Sequence, residues 1–128
     1  KRALNRGTKV EIMISSKSDI PFTPDASLYA VQKLMKKGAM IYLYNGGFHH
    51  SKIMMVDDLF CTVGTANLNR YDYETNAFIF DKDITQQLND VFEADMLHCT
   101  RLTPEMWKQK SAWKKFKCWF ANLFTPFL

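Results

Sequence analysis

The sequence predicts an α/β fold, a mixed β-sheet flanked by helices, and three observations carry that expectation. An apolar run at Val10 to Ile14 (VEIMI) is followed by a helical pattern, a group of short strand-like runs fills residues 40–80, and a second helical pattern follows them. Strand, helix, three or four strands, helix is the order of a layered α/β arrangement. No internal repeat or low-complexity tract competes with it.

Each element has a local reason. Val10 to Ile14 follows a basic helical end and Gly7, and its short, mainly apolar run suits a strand buried on both faces. Ser15 to Pro24 contains serines, an aspartate and two prolines and reads as a loop. Asp25 is placed to cap a helix from about Ala26 to Lys37, with Leu28, Val31, Leu34 and Met35 at helical spacing and Gly38 as its stop. Met40 to Tyr44 forms the next strand and ends at Asn45-Gly46-Gly47. Ser51 to Val56 and Phe60 to Val63 are joined across Asp57-Asp58, which suits a tight hairpin. Asn76 to Phe80 is a last strand. Asp83 or Thr85 then caps a helix running to about Cys99, with Ile84, Leu88, Val91, Phe92 and Met96 on its apolar face.

Composition sets the outer limits. A chain of 128 residues is one domain at most and is long enough to bury a core. A hydrophobic fraction of 47% argues against disorder. The net charge of +4 suits an anionic partner without choosing between a phospholipid surface and nucleic acid. Cys61, Cys99 and Cys118 are scattered and lack metal-ligand spacing, so reduced thiols are expected and a disulfide framework is not. His98 and Cys99 diverge at a helix end and read as a solvated cap beside a thiol rather than a metal pair. No apolar run reaches membrane-spanning length and no signal peptide is seen. The opening Lys1-Arg2-Ala3 reads as the middle of a helix, which predicts a piece of a longer protein.

Beyond Thr103-Pro104 the composition changes. Lys108, Lys110, Lys114, Lys115 and Lys117 alternate with Trp107, Trp113, Phe116, Trp119, Phe120, Leu123 and Phe124. We therefore divide the chain into an α/β domain at 1–103 and a basic, aromatic, amphipathic segment at 104–128. Such a segment suits an interfacial helix on an anionic bilayer. A helix docked on its own domain, or on a missing half, is the alternative.

The densest chemistry lies at His50-Ser51-Lys52-Ile53-Met54-Met55-Val56-Asp57, followed by Gly64-Thr65-Ala66-Asn67. The pattern is H-x-K-x4-D and then G-T-x-N. An imidazole can attack phosphorus or protonate a leaving alkoxide near neutral pH. A lysine two residues on leaves a strand on the same side, so its charge sits beside the imidazole and can hold a phosphate oxygen. Thr65 and Asn67 add a hydroxyl and an amide at the end of the next strand. His49 lacks these relations and points to the opposite face, so it reads as a neighbour. Asp57 is a member of the pattern, but an Asp at a turn between strands commonly bonds its own backbone.

His50, Lys52, Asp57, Gly64, Thr65 and Asn67 resemble the HKD signature of the phospholipase D superfamily. Lys52 to Asp58 (KIMMVDD), Thr62 to Leu68 (TVGTANL) and Asn76 to Asp81 (NAFIFD) are similar to the C-terminal half of bacterial cardiolipin synthases. The resemblance implies one half of a phospholipase D-like fold. It also implies that Glu74, just before the strand at Asn76, accepts a hydrogen bond from the catalytic imidazole and fixes its tautomer. One departure is visible: Asn69 to Tyr73 is about four residues shorter than the family leads one to expect, and an Arg-Ser pair usual there is absent.

From that resemblance the expected sites are His50, Lys52, Asp57 and Glu74 as catalytic residues, with Lys52, Thr65 and Asn67 on the substrate phosphate. The implied reaction transfers a phosphatidyl group from one phosphatidylglycerol to another through a phosphohistidine, releasing glycerol and forming cardiolipin. It needs two histidines and no metal or other cofactor. Because this chain carries one H-x-K-x4-D, the partner is the N-terminal HKD half of the same protein or a symmetric second chain. Anionic phospholipid and the membrane surface are the other expected partners, at the bacterial cytoplasmic membrane with the catalytic domain facing the cytoplasm. Two other readings stand beside it: a homodimeric phosphodiesterase or nuclease of the same superfamily, and a non-catalytic membrane-binding fragment. The aromatic tail and phosphatidyl-type flanks argue against nucleic acid.

Overall fold

The computed structural model describes residues 1–17, 23–47, 50–65 and 75–123. Its contacts divide the chain into two compact units, one made of Lys1–His49 with Cys99–Leu128 and the other of His50–His98.

In the first unit a short helix α1 (Arg2–Asn5) precedes strand β1 (Glu11–Ser15), helix α2 (Thr23–Met35) and strand β2 (Met40–Tyr44). β1 and β2 pair in parallel, with Ile12 opposite Ile41 and Ile14 opposite Leu43. A helix between two parallel strands is the crossover that such pairing requires. α2 begins two residues before the expected Asp25 cap. Pro24 falls in its first turn, where a missing N–H costs nothing. The helix ends at Gly38, whose φ of 97° is reached without the steric cost a side chain would bring. Its N–H donates to the Met35 carbonyl at 2.9 Å, and the Ala39 N–H to Leu34 at 3.2 Å. The core of this unit is Val31, Met35, Ala39, Ile41 and Leu102, with Ile12, Leu28 and Trp107 packed around it.

Leu102 comes from a strand absent from the sequence-based expectation. β6 (Cys99–Leu102) pairs antiparallel with β2, making the sheet mixed in the order β1-β2-β6. Cys-Thr-Arg-Leu has too little apolar alternation to announce itself, and its pairing with β2 makes it a strand. Two helices follow. Thr103 caps α4 (Pro104–Gln109) by accepting from the Met106 N–H at 3.3 Å. α5 (Ala112–Leu123) packs against α2 through the buried Cys118 and Ala121. Asp25, displaced from the cap, binds this helix: its carboxylate pairs with Lys114 at 2.6 Å and accepts from the Cys118 thiol at 3.6 Å. Burial, then the neighbouring Asp25 charge and hydrogen bond, pushes the Cys118 thiol up to about 11.

The second unit is an antiparallel sheet of β3 (Lys52–Val56), β4 (Phe60–Gly64) and β5 (Asn76–Ile79), followed by α3 (Lys82–Met96). Asp57 and Asp58 link β3 and β4 with φ of 49° and 55°, and the Leu59 N–H donates to the Val56 carbonyl at 3.1 Å. Positive φ at both central residues of the Val56–Leu59 turn matches strand twist, and with Val56 opposite Phe60 three residues connect the strands in the expected tight hairpin. Asp81, rather than Asp83 or Thr85, caps α3 by accepting from the Ile84 N–H at 2.9 Å. Thr85 is buried one turn in and donates to the Asp81 carbonyl at 2.6 Å. α3 lies on the hairpin, where the Asn89 amide donates to the Asp58 carboxylate. It stops at Met96 instead of Cys99, because the chain turns at Leu97 and His98 to enter β6.

Candidate functional site

Pairing register gathers the candidate residues at one edge of the antiparallel sheet. Lys52 opens β3 and lies opposite Gly64, which closes β4, and Gly64 in turn lies opposite Asn76, which opens β5. His50 precedes the first strand, Thr65 follows the second and Thr75 precedes the third, so all three flank the same edge.

His50 and Lys52 meet there. Lys52 Nζ lies 2.9 Å from Nε2 and 3.1 Å from Nδ1 of His50, and donates to the His50 carbonyl at 3.0 Å. The lysine is half-buried and the histidine exposed, which leaves the imidazole open to a ligand arriving from solvent. A neutral imidazole has one ring nitrogen with a free lone pair, and an ammonium can donate to it. The pair therefore presents a nucleophile or proton carrier with a fixed positive charge alongside, the arrangement that the two-residue spacing predicts.

Gly64 allows the strands to close at this edge. A Cβ built there would fall onto the Asn76 side-chain oxygen and the Thr75 carbonyl. The G in G-T-x-N is thus a space requirement. Thr65 ties the base of the connection between β4 and β5. Its N–H donates to the Thr75 carbonyl at 3.0 Å, and its hydroxyl accepts from the Thr75 N–H at 3.1 Å. That second bond shows what the sequence alone did not: the threonine hydroxyl has a structural partner of its own.

Asp57 is elsewhere. It sits in the turn at the far end of β3, and five residues of extended chain separate it from Lys52 by roughly 16 Å. Asp57 and His50 therefore do not converge. Asn67 and Glu74, expected at the site, lie outside the described residues, as do His49 and the short stretch from Asn69 to Tyr73. No cluster of three or more metal-ligating side chains occurs among the described residues.

The face of the sheet that carries Lys52 also carries Met54, Val56, Phe60 and Phe78, since directly paired residues share a face. Phe78 is 66% exposed and Met54 51%, while the Phe60 and Phe78 rings stack at 6.0 Å.

Comparisons with known proteins place the chain in a family. The chain is 40% identical over 126 residues to the cardiolipin synthase of Listeria monocytogenes serotype 4a (strain HCC23), an alignment covering 95% of this chain and 26% of that protein. It is 39% identical over 132 residues to cardiolipin synthase 1 of Staphylococcus epidermidis (strain ATCC 12228 / FDA PCI 1200), covering 100% of this chain and 27% of that protein. That alignment runs over 132 positions against a chain of 128 residues, so at least four positions have no residue of this chain opposite them. The chain spans about a quarter of the length of the curated relatives it matches. Residues 1–96 match the family described as "Cardiolipin synthase, PLD-like domain", and with His50, Lys52 and Gly64 brought to one sheet edge, the chain belongs to that phospholipase D-like family.

Proposed function

We propose that this chain supplies one HKD half-site of a phosphatidyltransferase that joins two phosphatidylglycerol molecules into cardiolipin and releases glycerol. The observation that carries the reading is the contact of Lys52 with His50 at the edge where Gly64 and Thr65 end β4. An imidazole nitrogen attacks the phosphorus of the first phosphatidylglycerol, forming a P–N bond as the P–O bond to glycerol breaks. The second imidazole, from the partner half-site, gives its proton to the departing glycerol oxygen. A headgroup hydroxyl of the second phosphatidylglycerol then attacks the phosphohistidine, gives its proton to the second imidazole and forms the new P–O bond as the P–N bond breaks and the first imidazole is released.

Within this half, Lys52 holds a phosphate oxygen and the charge that grows on it. Thr65 and Asn67 add polar contacts from the β4 end, and Glu74 holds the imidazole tautomer. Asn67 and Glu74 lie close in sequence to Thr65 and Thr75, whose mutual hydrogen bonds bring the connection's two ends to the His50 edge. The partner half-site, from the same polypeptide or a symmetric twin, covers the exposed apolar face around Met54 and Phe78. The protein works at the bacterial cytoplasmic membrane, where its lipid substrate resides.

The test is turnover of phosphatidylglycerol vesicles by the full-length protein and its His50→Ala variant, with products resolved by mass spectrometry. The expected result is cardiolipin and glycerol from the parent and neither from the variant. Cardiolipin formation by the His50→Ala protein would overturn the reading. So would a parent protein that cleaves DNA while leaving phosphatidylglycerol untouched.

A further inference from the structure

We propose that α5 seats the protein on an anionic bilayer through the face opposite the one docked on α2. Residues of an α-helix advance by about 100° each, so Phe116 lies about 200° from Cys118, and Leu123 about 200° from Ala121. Cys118 and Ala121 are the buried contacts with α2. Trp113, Phe116, Trp119, Phe120 and Leu123 therefore form a stripe turned away from α2, and each is between 44% and 65% exposed. Phe116 stands at its centre, with ring centroids 5.7 Å from Trp113, 5.7 Å from Trp119 and 6.1 Å from Phe120.

The roll of the helix is held by Asp25, whose carboxylate engages Lys114 and Cys118 on the docked face. A fixed roll keeps the aromatic stripe outward, so the surface is formed before any membrane is met. Such pre-organisation removes an ordering cost from binding.

Charge selects the occupant. Residues 104–123 hold five lysines and a single acid, Glu105. Lys117 flanks the stripe, with Nζ 5.6 Å from the Trp113 ring centroid, and Lys115 lies on the other side, donating to the Lys108 carbonyl at 2.8 Å. Lys108 is exposed on α4. A protein partner would bury these lysines against acidic side chains and the aromatics in a pocket. A bilayer takes Trp and Phe rings about 5–10 Å deep at the headgroup level while anionic phosphates meet the lysines. No described helix is long and apolar enough to cross a membrane, so α5 lies along the surface.

The experiment uses the full-length protein reconstituted into vesicles of phosphatidylcholine with one third phosphatidylglycerol, and into phosphatidylcholine alone, with lipids brominated near the headgroup. The expected result is quenching of a tryptophan component in the anionic vesicles that disappears in the Trp113→Phe/Trp119→Phe double variant. That component should be much weaker in phosphatidylcholine alone. Lys108→Gln and Lys117→Gln should each weaken the association of α5 roughly fivefold, the equivalent of about 1 kcal/mol per lysine at a charged surface. Phenylalanine preserves the apolar bulk, and the denaturation midpoint of the double variant should match the parent. Absence of quenching in anionic vesicles would overturn the proposal and assign the stripe to a protein partner. Equal quenching in both vesicles would overturn the part played by charge. The measurement reads no turnover, so its failure is separate from failure of the phosphatidyl-transfer reading.

Discussion

The ammonium of Lys52 lies 2.9 Å from Nε2 of His50 and 3.0 Å from the His50 carbonyl oxygen, with Ser51 alone between them in the chain. The positive charge and the imidazole are thus positioned by one stretch of extended backbone, and the antiparallel neighbour delivers Gly64 and Thr65 to the same edge. An arrangement held this locally depends little on the rest of the chain for its geometry. Its chemistry can be probed by changing charge without changing shape.

Lys52→Met keeps the aliphatic stem and removes the ammonium. The full-length protein should lose roughly 10²–10³-fold in turnover of phosphatidylglycerol, as when one group stabilising transition-state charge is removed. Most of the loss should fall on kcat, and the denaturation midpoint should be unchanged. A variant with altered KM and normal kcat would show that Lys52 binds the ground state only.

Asp57→Asn should leave both folding and turnover close to those of the parent protein. Asparagine tolerates the left-handed backbone that Asp57 adopts at φ of 49°. Asp57→Val should instead destabilise the hairpin by roughly 1–2 kcal/mol, because a β-branched side chain is costly at positive φ. Loss of turnover in Asp57→Asn at full stability would mean that the aspartate reaches the reaction despite its distance from His50.

Gly64→Ala introduces a methyl group where the Thr75 carbonyl and the Asn76 side chain already lie. We expect a loss of roughly 1–3 kcal/mol in urea denaturation, the usual cost of overpacking, because backbone atoms must move. Turnover should fall with it, since β5 would be pushed from the edge that carries His50. Unchanged stability and unchanged turnover together would refute the close approach.

Cys118 predicts a pH dependence whose sign can be worked out. Its thiol titrates near 9.0 when unburied and is raised to about 11 in the fold, with desolvation the leading cause. Between those values the unfolded chain has released a proton that the folded chain retains. Stability from this group is therefore full below pH 9 and is lost as pH rises towards 11. The stability difference between the parent and Cys118→Ala should shrink across that interval in urea denaturation. A difference that stays flat would remove the thiol as its source.

Much of the fold was readable from the residues because it rests on local codes. The hairpin at Asp57-Asp58, the stop at Gly38 and the strand at Met40 to Tyr44 follow from turn chemistry and apolar patterning, which act over a few residues. The cap of α3 differs from the expectation because Asp81, Asp83 and Thr85 all suit the role, and only the path of the backbone selects Asp81.

The sequence by itself determined the pairing of His50 with Lys52, because H-x-K sets them two residues apart and the period of a strand puts both on one side. Tertiary structure decided what depends on distant partners. It made a strand of Cys99–Leu102 by pairing it with β2, and it turned Asp25 from an expected cap into the anchor for Lys114 and Cys118. It also separated Asp57 from His50 by the length of β3 while tying Thr65 to Thr75. The physical reason is range. Turn and strand preferences act between neighbours, whereas a ladder, an ion pair or a helix contact takes its energy from residues the chain brings together only after it has folded.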